Sequence, residues 1–341
     1  MADGRLQYIF GFNDVTGVPE DEVMMVSMLG AIFPAPTITV AEGQKLYLTL
    51  TNVGMMVRPD LFDPHTIHWH GFPNAAPIFD GVPSDSISIN MGSSLTYFYN
   101  IVEPGTFMWH CHVEATEHMQ MGMLGQIYVT PAQNGTEYAD PDGSGRTYTK
   151  FAYNDGDGST GYDVEQYLQI AAFDPAFHDA SYTVQPLPFA LMDDKYPLLN
   201  GRGYPDTVNE AELANTAADE GWGPNRFSQK ESSLITATQG QKILLRISSL
   251  STVHYYSLGV LGIPMKVIGK GARILRAPDG RNLYYETSSI NLGGGEAFDV
   301  ILDTAGVPPG TYFLYTTNLH NLANDAEDYG GIMTEIVINS P

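Results

Sequence analysis

Hydrophobic positions in this chain fall into short runs separated by turn residues. The runs at 45–51, 86–90, 95–102 and 125–130 are rich in β-branched and aromatic side chains, and Gly, Pro and Asn lie between them. Short runs of this composition are typical of strands in antiparallel sandwiches. The pattern therefore predicts an all-β fold, with strands ending near Thr130 and Ile338.

The pattern also repeats. Residues 42–50 (Glu-Gly-Gln-Lys-Leu-Tyr-Leu-Thr-Leu) are similar to residues 239–247 (Gln-Gly-Gln-Lys-Ile-Leu-Leu-Arg-Ile), and residues 71–73 and 105–109 have counterparts at 262–264 and 310–314. Such self-similarity indicates a duplicated domain. We expect a first domain at 1–135, a Gly/Asp/Asn/Ser-rich linker at 136–165 and a second domain at 166–341. Residues 201–230 are polar and contain glycine, and we expect them to form a long loop with a short helix at 209–218.

Length and charge narrow the class of protein. A chain of 341 residues is long enough for two domains with separate cores. Its 39 acidic and 16 basic residues give a net charge of −23, which disfavours nucleic acid as a partner. There is no apolar stretch of the roughly 18 residues that a membrane span needs, so we expect none.

Six of the nine histidines fall in two clusters, both in the first repeat. One cluster is His65-Thr-Ile-His68-Trp-His70. The other begins His110-Cys111-His112 and continues through His118 to Met123. Alternate residues of a strand point to opposite faces. His65 can therefore join Cys111 at one site, while the remaining four histidines (His68, His70, His110 and His112) gather at a second site.

The ligand set at the first site predicts copper. A cysteine thiolate, two imidazoles and a weak axial thioether form a blue, type 1 copper site, here from His65, Cys111, His118 and Met123. Zinc is the main competing metal for cysteine and histidine ligands. A cysteine flanked by two histidines, and followed by His and Met within a dozen residues, is more typical of copper.

The His-Trp-His-Gly and His-Cys-His motifs resemble those of the multicopper oxidase family, which includes laccases and relatives of copper nitrite reductase. The resemblance extends to residues 36–43 and 80–83. It implies two cupredoxin-like Greek-key β-sandwich domains in tandem. It also implies a type 2 copper ligand at His68, type 3 ligands at His70, His110 and His112, and a proton-assisting carboxylate at Asp80. Type 1 copper in the first domain resembles two-domain oxidases that form homotrimers with interfacial clusters.

The chain departs from the family pattern in its ligand loop. His118 lies seven residues after Cys111, where such oxidases usually have five, while the interval from His118 to Met123 is kept. We interpret this as a two-residue insertion. Met119 and Met121 are alternative axial ligands to Met123.

The second repeat is poor in histidine. Gly259 and Leu261 align with His68 and His70, and residues 315–317 (Tyr-Thr-Thr) align with the His-Cys-His motif. A trinuclear cluster needs about eight histidines, so a neighbouring subunit would have to complete it. The candidate interfacial ligands are His320 and His254, with His178 a weaker candidate.

These observations predict a laccase-like, copper-dependent oxidoreductase that takes electrons from a phenol, amine or metal ion and reduces O2. One alternative is a nitrite-reductase-like enzyme with a smaller interfacial centre. Another is a non-enzymatic electron-transfer or copper-handling protein. Copper chemistry and the resemblance imply a periplasmic or secreted protein, although residues 1–5 show no basic-then-apolar signal pattern.

Overall fold

The computed structural model describes residues 1–74, 76–214 and 227–341. Three α-helices lie in these ranges: α1 (Glu20–Ser27), α2 (Ala115–Met121) and α3 (Pro175–Tyr182). The strands are β1 (Ala35–Ala41), β2 (Lys45–Thr51), β3 (His68–His70), β4 (Ser94–Asn100), β5 (Gly105–His110), β6 (Leu124–Thr130), β7 (Tyr138–Ala139), β8 (Thr147–Tyr148), β9 (Val164–Phe173), β10 (Tyr196–Leu199), β11 (Leu213–Ala214), β12 (Phe227–Gln229), β13 (Ile235–Thr238), β14 (Lys242–Ser249), β15 (Tyr256–Val260), β16 (Met265–Lys270), β17 (Arg273–Ile274), β18 (Tyr285–Thr287), β19 (Ser289–Leu292), β20 (Glu296–Asp303), β21 (Gly310–Thr316) and β22 (Met333–Asn339). Short 3-10 turns occur at Pro77–Phe79, Phe189–Leu191, Asp206–Val208 and Leu319–Leu322.

The first sandwich pairs a four-stranded sheet, in the order β1-β6-β5-β3, with the two-stranded sheet β2-β4. Its core is aromatic and fully buried, and Trp69 stacks on Tyr99 with ring centroids 3.9 Å apart. Cys111 belongs to the same buried cluster. This core therefore includes the cysteine that the sequence analysis predicts to be a metal ligand.

The second sandwich repeats this topology. Strands β13-β22-β21-β15 follow the same order as β1-β6-β5-β3, with β13 parallel to β22 as β1 is parallel to β6. Strands β5 and β21 both begin at a glycine with positive φ, Gly105 and Gly310. The opposing sheet is larger, with seven strands built around β9, β14, β20 and β16. The predicted all-β fold and its duplication are confirmed.

Two local predictions were wrong. Residues 86–90 do not form a strand. Only Ile89 pairs, in an isolated bridge with His65, and the Ser86 amide donates a hydrogen bond back to the Val82 carbonyl, as in a turn. Residues 209–214 are not helical, and the rest of that predicted helix, 215–218, lies outside the described residues. Among the described helices, none has the length and apolarity to cross a membrane.

The segment between the two sandwiches packs on the second one. Phe151 is fully buried, and Tyr153 and Tyr162 join a cluster with Leu244 and Ile301 from the larger sheet. The tyrosine hydroxyl of Tyr153 donates to the Asp299 carboxylate. This stretch is therefore anchored to the second core by both apolar and polar contacts.

A buried polar network joins the sandwiches. Thr106 on β5 donates its hydroxyl to Asp299 Oδ1 at 2.5 Å, and Arg246 Nη1 lies 3.3 Å from Thr106 and 3.5 Å from Asp299. Arg246 also pairs with Glu165. Burial raises the pKa of Asp299, while the Arg246 charge opposes that change. A buried apolar cluster also draws on both sandwiches, and it includes Phe33, Met108, Leu124, Phe173, Tyr196 and Leu250.

Replacing Arg246 with Met should destabilise the protein strongly, because Asp299 would be left buried without its compensating charge. We expect a loss of about 3–5 kcal/mol in the free energy of unfolding, measured by chemical denaturation. The control is Arg281→Met, which removes an exposed pair with Asp279 and should leave unfolding unchanged. Equal effects of the two substitutions would contradict the role given to this network.

Candidate metal centres

The first cluster brings three predicted ligands together. His118 Nδ1 lies 3.2 Å and His65 Nδ1 lies 3.8 Å from Cys111 Sγ. All three side chains are buried, and their donor atoms lie within 4.8 Å of one another. Two backbone hydrogen bonds between His65 and Ile89 fix the first histidine. Cys111 follows the last residue of β5, and its amide donates to the Met123 carbonyl at 3.1 Å.

The unusual spacing in the ligand loop is accommodated by a helix. Helix α2 lies between Cys111 and Met123 and places His118 on its inner, fully buried face. The Met123 amide then donates to the His118 carbonyl at 2.8 Å. Helix α2 thus fills the interval between Cys111 and Met123, and it leaves His118 and Met123, the predicted ligands, beside the cysteine.

The three methionines of this loop have different surroundings. Met123 lines the same cavity as His65, and Met121 is fully buried in the cluster that contains Cys111. Met119 instead packs against the apolar residues between the sandwiches. These positions favour Met123 as the axial ligand and make Met119 the weakest candidate.

The first cluster carries opposite charges before any metal is bound. Burial would raise the pKa of the Cys111 thiol, but hydrogen bonds with His118 and His65 lower it to about 6. Burial would lower the pKa of His118, but Asp63 and Cys111 raise it to about 9. Asp63 Oδ2 lies 3.8 Å from His118 Nε2, which is an ion-pair distance. The site therefore favours the thiolate form that copper requires.

The second cluster lies across the β3–β5 pair. His68 is directly opposite His110, and directly opposed residues of a sheet share a face. Donor atoms of His68, His70 and His110 lie within 4.8 Å of one another. The centroid of the His112 ring lies 5.0 Å from that of the His68 ring and 5.6 Å from that of the His110 ring. All four predicted histidines are therefore neighbours.

Backbone carbonyls orient two of these imidazoles. His68 Nδ1 is 2.6 Å from the Asp80 carbonyl, and His110 Nδ1 is 2.8 Å from the Cys111 carbonyl. Each ring therefore turns its Nε2 away from the backbone and leaves it free for a metal. Burial lowers the pKa of His110 to about 3 and also lowers the pKa of His68 and His70. Neutral imidazoles are the form that binds metal.

Asp80 lies at the edge of this cluster, where the sequence predicts an acidic residue. Its carboxylate Oδ1 is 3.5 Å from His68 Nδ1 and accepts a hydrogen bond from Asn74. The side chain is about one-third exposed, at 32%. Asp80 therefore contacts a cluster histidine and also reaches solvent.

The second sandwich offers no equivalent donors within the described residues. Gly259 is opposite Tyr315, just as His68 is opposite His110. A Cβ at Gly259 would lie 2.8 Å from the Ser288 carbonyl oxygen, so this position is closed to a side chain. His254 and His320 are exposed and belong to neither cluster.

Two residues near the clusters, Asp63 and Gly295, were missed by the sequence analysis, and His178, its weaker interfacial candidate, has a different place in the structure. Asp63 pairs with His118, although its position two residues before His65 was an available signal. Gly295, in a run of three glycines, approaches His70 so closely that a Cβ there would be 2.8 Å from His70 Nε2. His178 is fully buried, and its two ring nitrogens lie 2.5 Å and 2.8 Å from the carbonyls of Tyr8 and Gln120. His178 is therefore a structural link to α2, with no nitrogen left for a metal.

Comparisons with known proteins identify the family of this chain. Sequence profiles described as multicopper oxidase match residues 14–134 and 191–335, which is well over half of the chain. The chain belongs to the multicopper oxidase family. Members of this family bind copper, and the cysteine–histidine–methionine donor set around Cys111 suits that metal.

Individual family members are distant. Laccase-5 from Trametes versicolor is 24% identical over 85% of this chain and 45% of its own length. The blue copper oxidase of Nitrosomonas europaea is 23% identical, with a TM-score of 0.66, and covers 91% of this chain and 77% of that one. The copper nitrite reductase of the same organism is 17% identical, with a TM-score of 0.59, and the match covers 90% of this chain and 84% of that one. These structures show a common fold. The chain spans less than half the length of the curated relatives it matches.

In the metal-free protein, the Cys111 thiol should ionise with a midpoint near pH 6, because His118 and His65 stabilise the thiolate. Ultraviolet thiolate absorbance against pH measures this midpoint. Replacing His118 with Gln should move it upward, toward the ordinary thiol range. A wild-type midpoint already in that ordinary range would contradict the charge pairing.

Replacing His178 with Gln should lower the free energy of unfolding by about 1–3 kcal/mol, because a buried carbonyl loses its donor. Chemical denaturation of the metal-free protein measures the change. The same substitution at exposed His320 is the matched control and should cost less than about 0.5 kcal/mol. A His178 variant as stable as the control would show that the link to α2 is unimportant.

Proposed function

We propose that this protein is a laccase-like, copper-dependent oxidase. His65, Cys111, His118 and Met123 would hold a type 1 copper, which would supply electron acceptance from a phenol, amine or metal-ion donor. His68, His70, His110 and His112 would contribute to a second copper centre, which would supply the reduction of O2. Copper supplies the one-electron chemistry at both places when it is bound.

The observation that carries this proposal is the position of Cys111 between the two clusters. Its sulfur contacts His65 and His118, while the neighbouring His110 faces the second cluster. His110 Nδ1 also contacts the Cys111 carbonyl at 2.8 Å. A short covalent path therefore joins the donor side to the acceptor side. A protein with only one functional centre would not need it.

The residues of the chain have separate tasks at the second centre. The Asp80 and Cys111 carbonyls hold His68 and His110 in the orientation that presents Nε2. The Asp80 carboxylate, beside His68 and partly exposed, is suited to carry protons from solvent to the reducing site. Burial lowers the pKa of His68, His70 and His110, which favours the neutral imidazole that binds metal.

One chain supplies only four histidines to this centre. We propose that a homotrimer completes it, with exposed His254 and His320 as the candidate ligands from a neighbouring copy. Both lie on the second sandwich, outside its buried core. A periplasmic or secreted location, where copper is available, fits the same proposal.

The decisive test is copper content together with oxygen consumption. We expect loaded, desalted protein to hold more than the single type 1 copper, and to consume O2 with a phenolic donor. Cys111→Ser should abolish the blue absorption and lower turnover by at least about 100-fold, because even outer-shell changes cost metal sites 10–100-fold. His254→Gln and His320→Gln test the interfacial ligands by their copper content.

The same measurements separate the alternatives. A nitrite-reductase-like centre is favoured by the three mutually close donors of His68, His70 and His110, and it predicts NO release from nitrite with little O2 uptake. An electron carrier predicts one copper per chain and no turnover of either acceptor. That last result would overturn the enzymatic proposal.

A further inference from the structure

Gly295, between β19 and β20 of the second sandwich, lies directly against His70 of the second cluster. A Cβ at position 295 would be 2.8 Å from His70 Nε2, 2.9 Å from Cε1 and 3.7 Å from Cδ2. The first two distances are too short for atoms that are not bonded to each other. A side chain at position 295 would therefore have to displace either the imidazole ring or its own backbone.

The backbone at Gly295 is held in place. Its amide donates to the Ser249 carbonyl at 2.8 Å, at the end of β14. Ser249 is in turn paired with Glu296, the first residue of β20. The Glu296 carboxylate accepts a hydrogen bond from the Gly293 amide at 2.8 Å. Because these bonds fix the connection to the larger sheet, the imidazole is the part that would move.

The His70 ring is positioned by packing. Backbone carbonyls hold the rings of His68 and His110, but no hydrogen bond holds the His70 ring within the part of the chain that the structure describes. Its ring centroid is 5.9 Å from that of His68 and 5.8 Å from that of His110. Gly295 is thus the wall on which the place of this imidazole depends.

The atom nearest to the missing Cβ is a donor nitrogen. Donor atoms of His68, His70 and His110 lie within 4.8 Å of one another. A ring pushed away from position 295 would change these separations. Shifts of this kind are costly at metal sites, where surrounding residues that orient a ligand affect affinity 10–100-fold.

We propose that Gly295 is a positioning residue of the second copper centre, where the space left by its absent side chain sets the place of the His70 imidazole. The inference rests on the proposed function for the identity of the metal. It goes beyond that function because it gives the second sandwich of the same chain a part in the centre, as a wall that supplies no ligand.

Backbone conformation must be separated from space in any test. Gly295 has a φ of +86°, which itself favours glycine. Gly240 of the same sandwich has a φ of +93°, and a Cβ there would meet nothing within 4 Å. Gly240→Ala is therefore the matched control, since it imposes similar backbone strain without touching a histidine.

The first measurement uses metal-free protein and the ¹H–¹⁵N NMR signals of the imidazole rings, with those of His70 assigned by their loss in His70→Gln. We expect Gly295→Ala to shift the His70 signals and to leave those of His65 unchanged. Gly240→Ala should leave both sets at their wild-type positions. A variant that failed to fold would instead lose the dispersion of every signal.

Copper binding is the second measurement. In Gly295→Ala we expect copper beyond the type 1 site to bind at least about tenfold more weakly, while the blue absorption per chain stays at the wild-type value. Gly240→Ala should match the wild type in both respects.

Gly295→Asn distinguishes space from strain, because Asn tolerates positive φ better than Ala but is larger. We expect it to shift the His70 signals at least as much as Ala does. Unmoved His70 signals in Gly295→Ala, an equal shift in Gly240→Ala, or an Asn variant closer to wild type than the Ala variant would overturn the inference. Wild-type protein that fills the second centre, loses that copper in Gly295→Ala and consumes no O2 with any donor would overturn the proposed oxidase and leave the role of Gly295 standing.

Discussion

The pairing of β3 with β5 is the constraint on which both clusters depend. It places His68 opposite His110 and leaves Cys111 just beyond the paired region, where its sulfur reaches the other side of the sheet. A shift of one residue in this register would exchange the two faces and separate both sets of donors. The aromatic core under β3, with Trp69 stacked on Tyr99, holds the register in place.

The two clusters differ in their surroundings. His65, Cys111 and His118 are all buried within the first sandwich, and the two histidines favour the thiolate form of the cysteine. In the second cluster, backbone carbonyls orient His68 and His110, and His70 lies against Gly295 of the second sandwich. The Cys111 cluster on one face of this sheet is therefore buried, while the histidine cluster on the other face is only partly buried.

Much of this could be predicted from the sequence, because strand periodicity and ligand spacing are local properties. Alternation along β3 and β5 predicts which histidines meet, and the repeat predicts that Gly259 replaces His68. Tertiary features were beyond reach. The helix in the ligand loop and the burial of His178 depend on segments far apart or on packing that no short pattern encodes. The 86–90 strand failed because its composition is strand-like but it has almost no partner to pair with.

The closed position at Gly259 limits how this chain can change over evolutionary time. Because the Ser288 carbonyl oxygen occupies the space that any side chain would need, no single substitution there can supply an imidazole. The backbone around Ser288 would have to move first, and that movement by itself brings no ligand. The second sandwich is therefore barred from gaining, by one substitution at this position, the histidine that the first sandwich carries at the equivalent place.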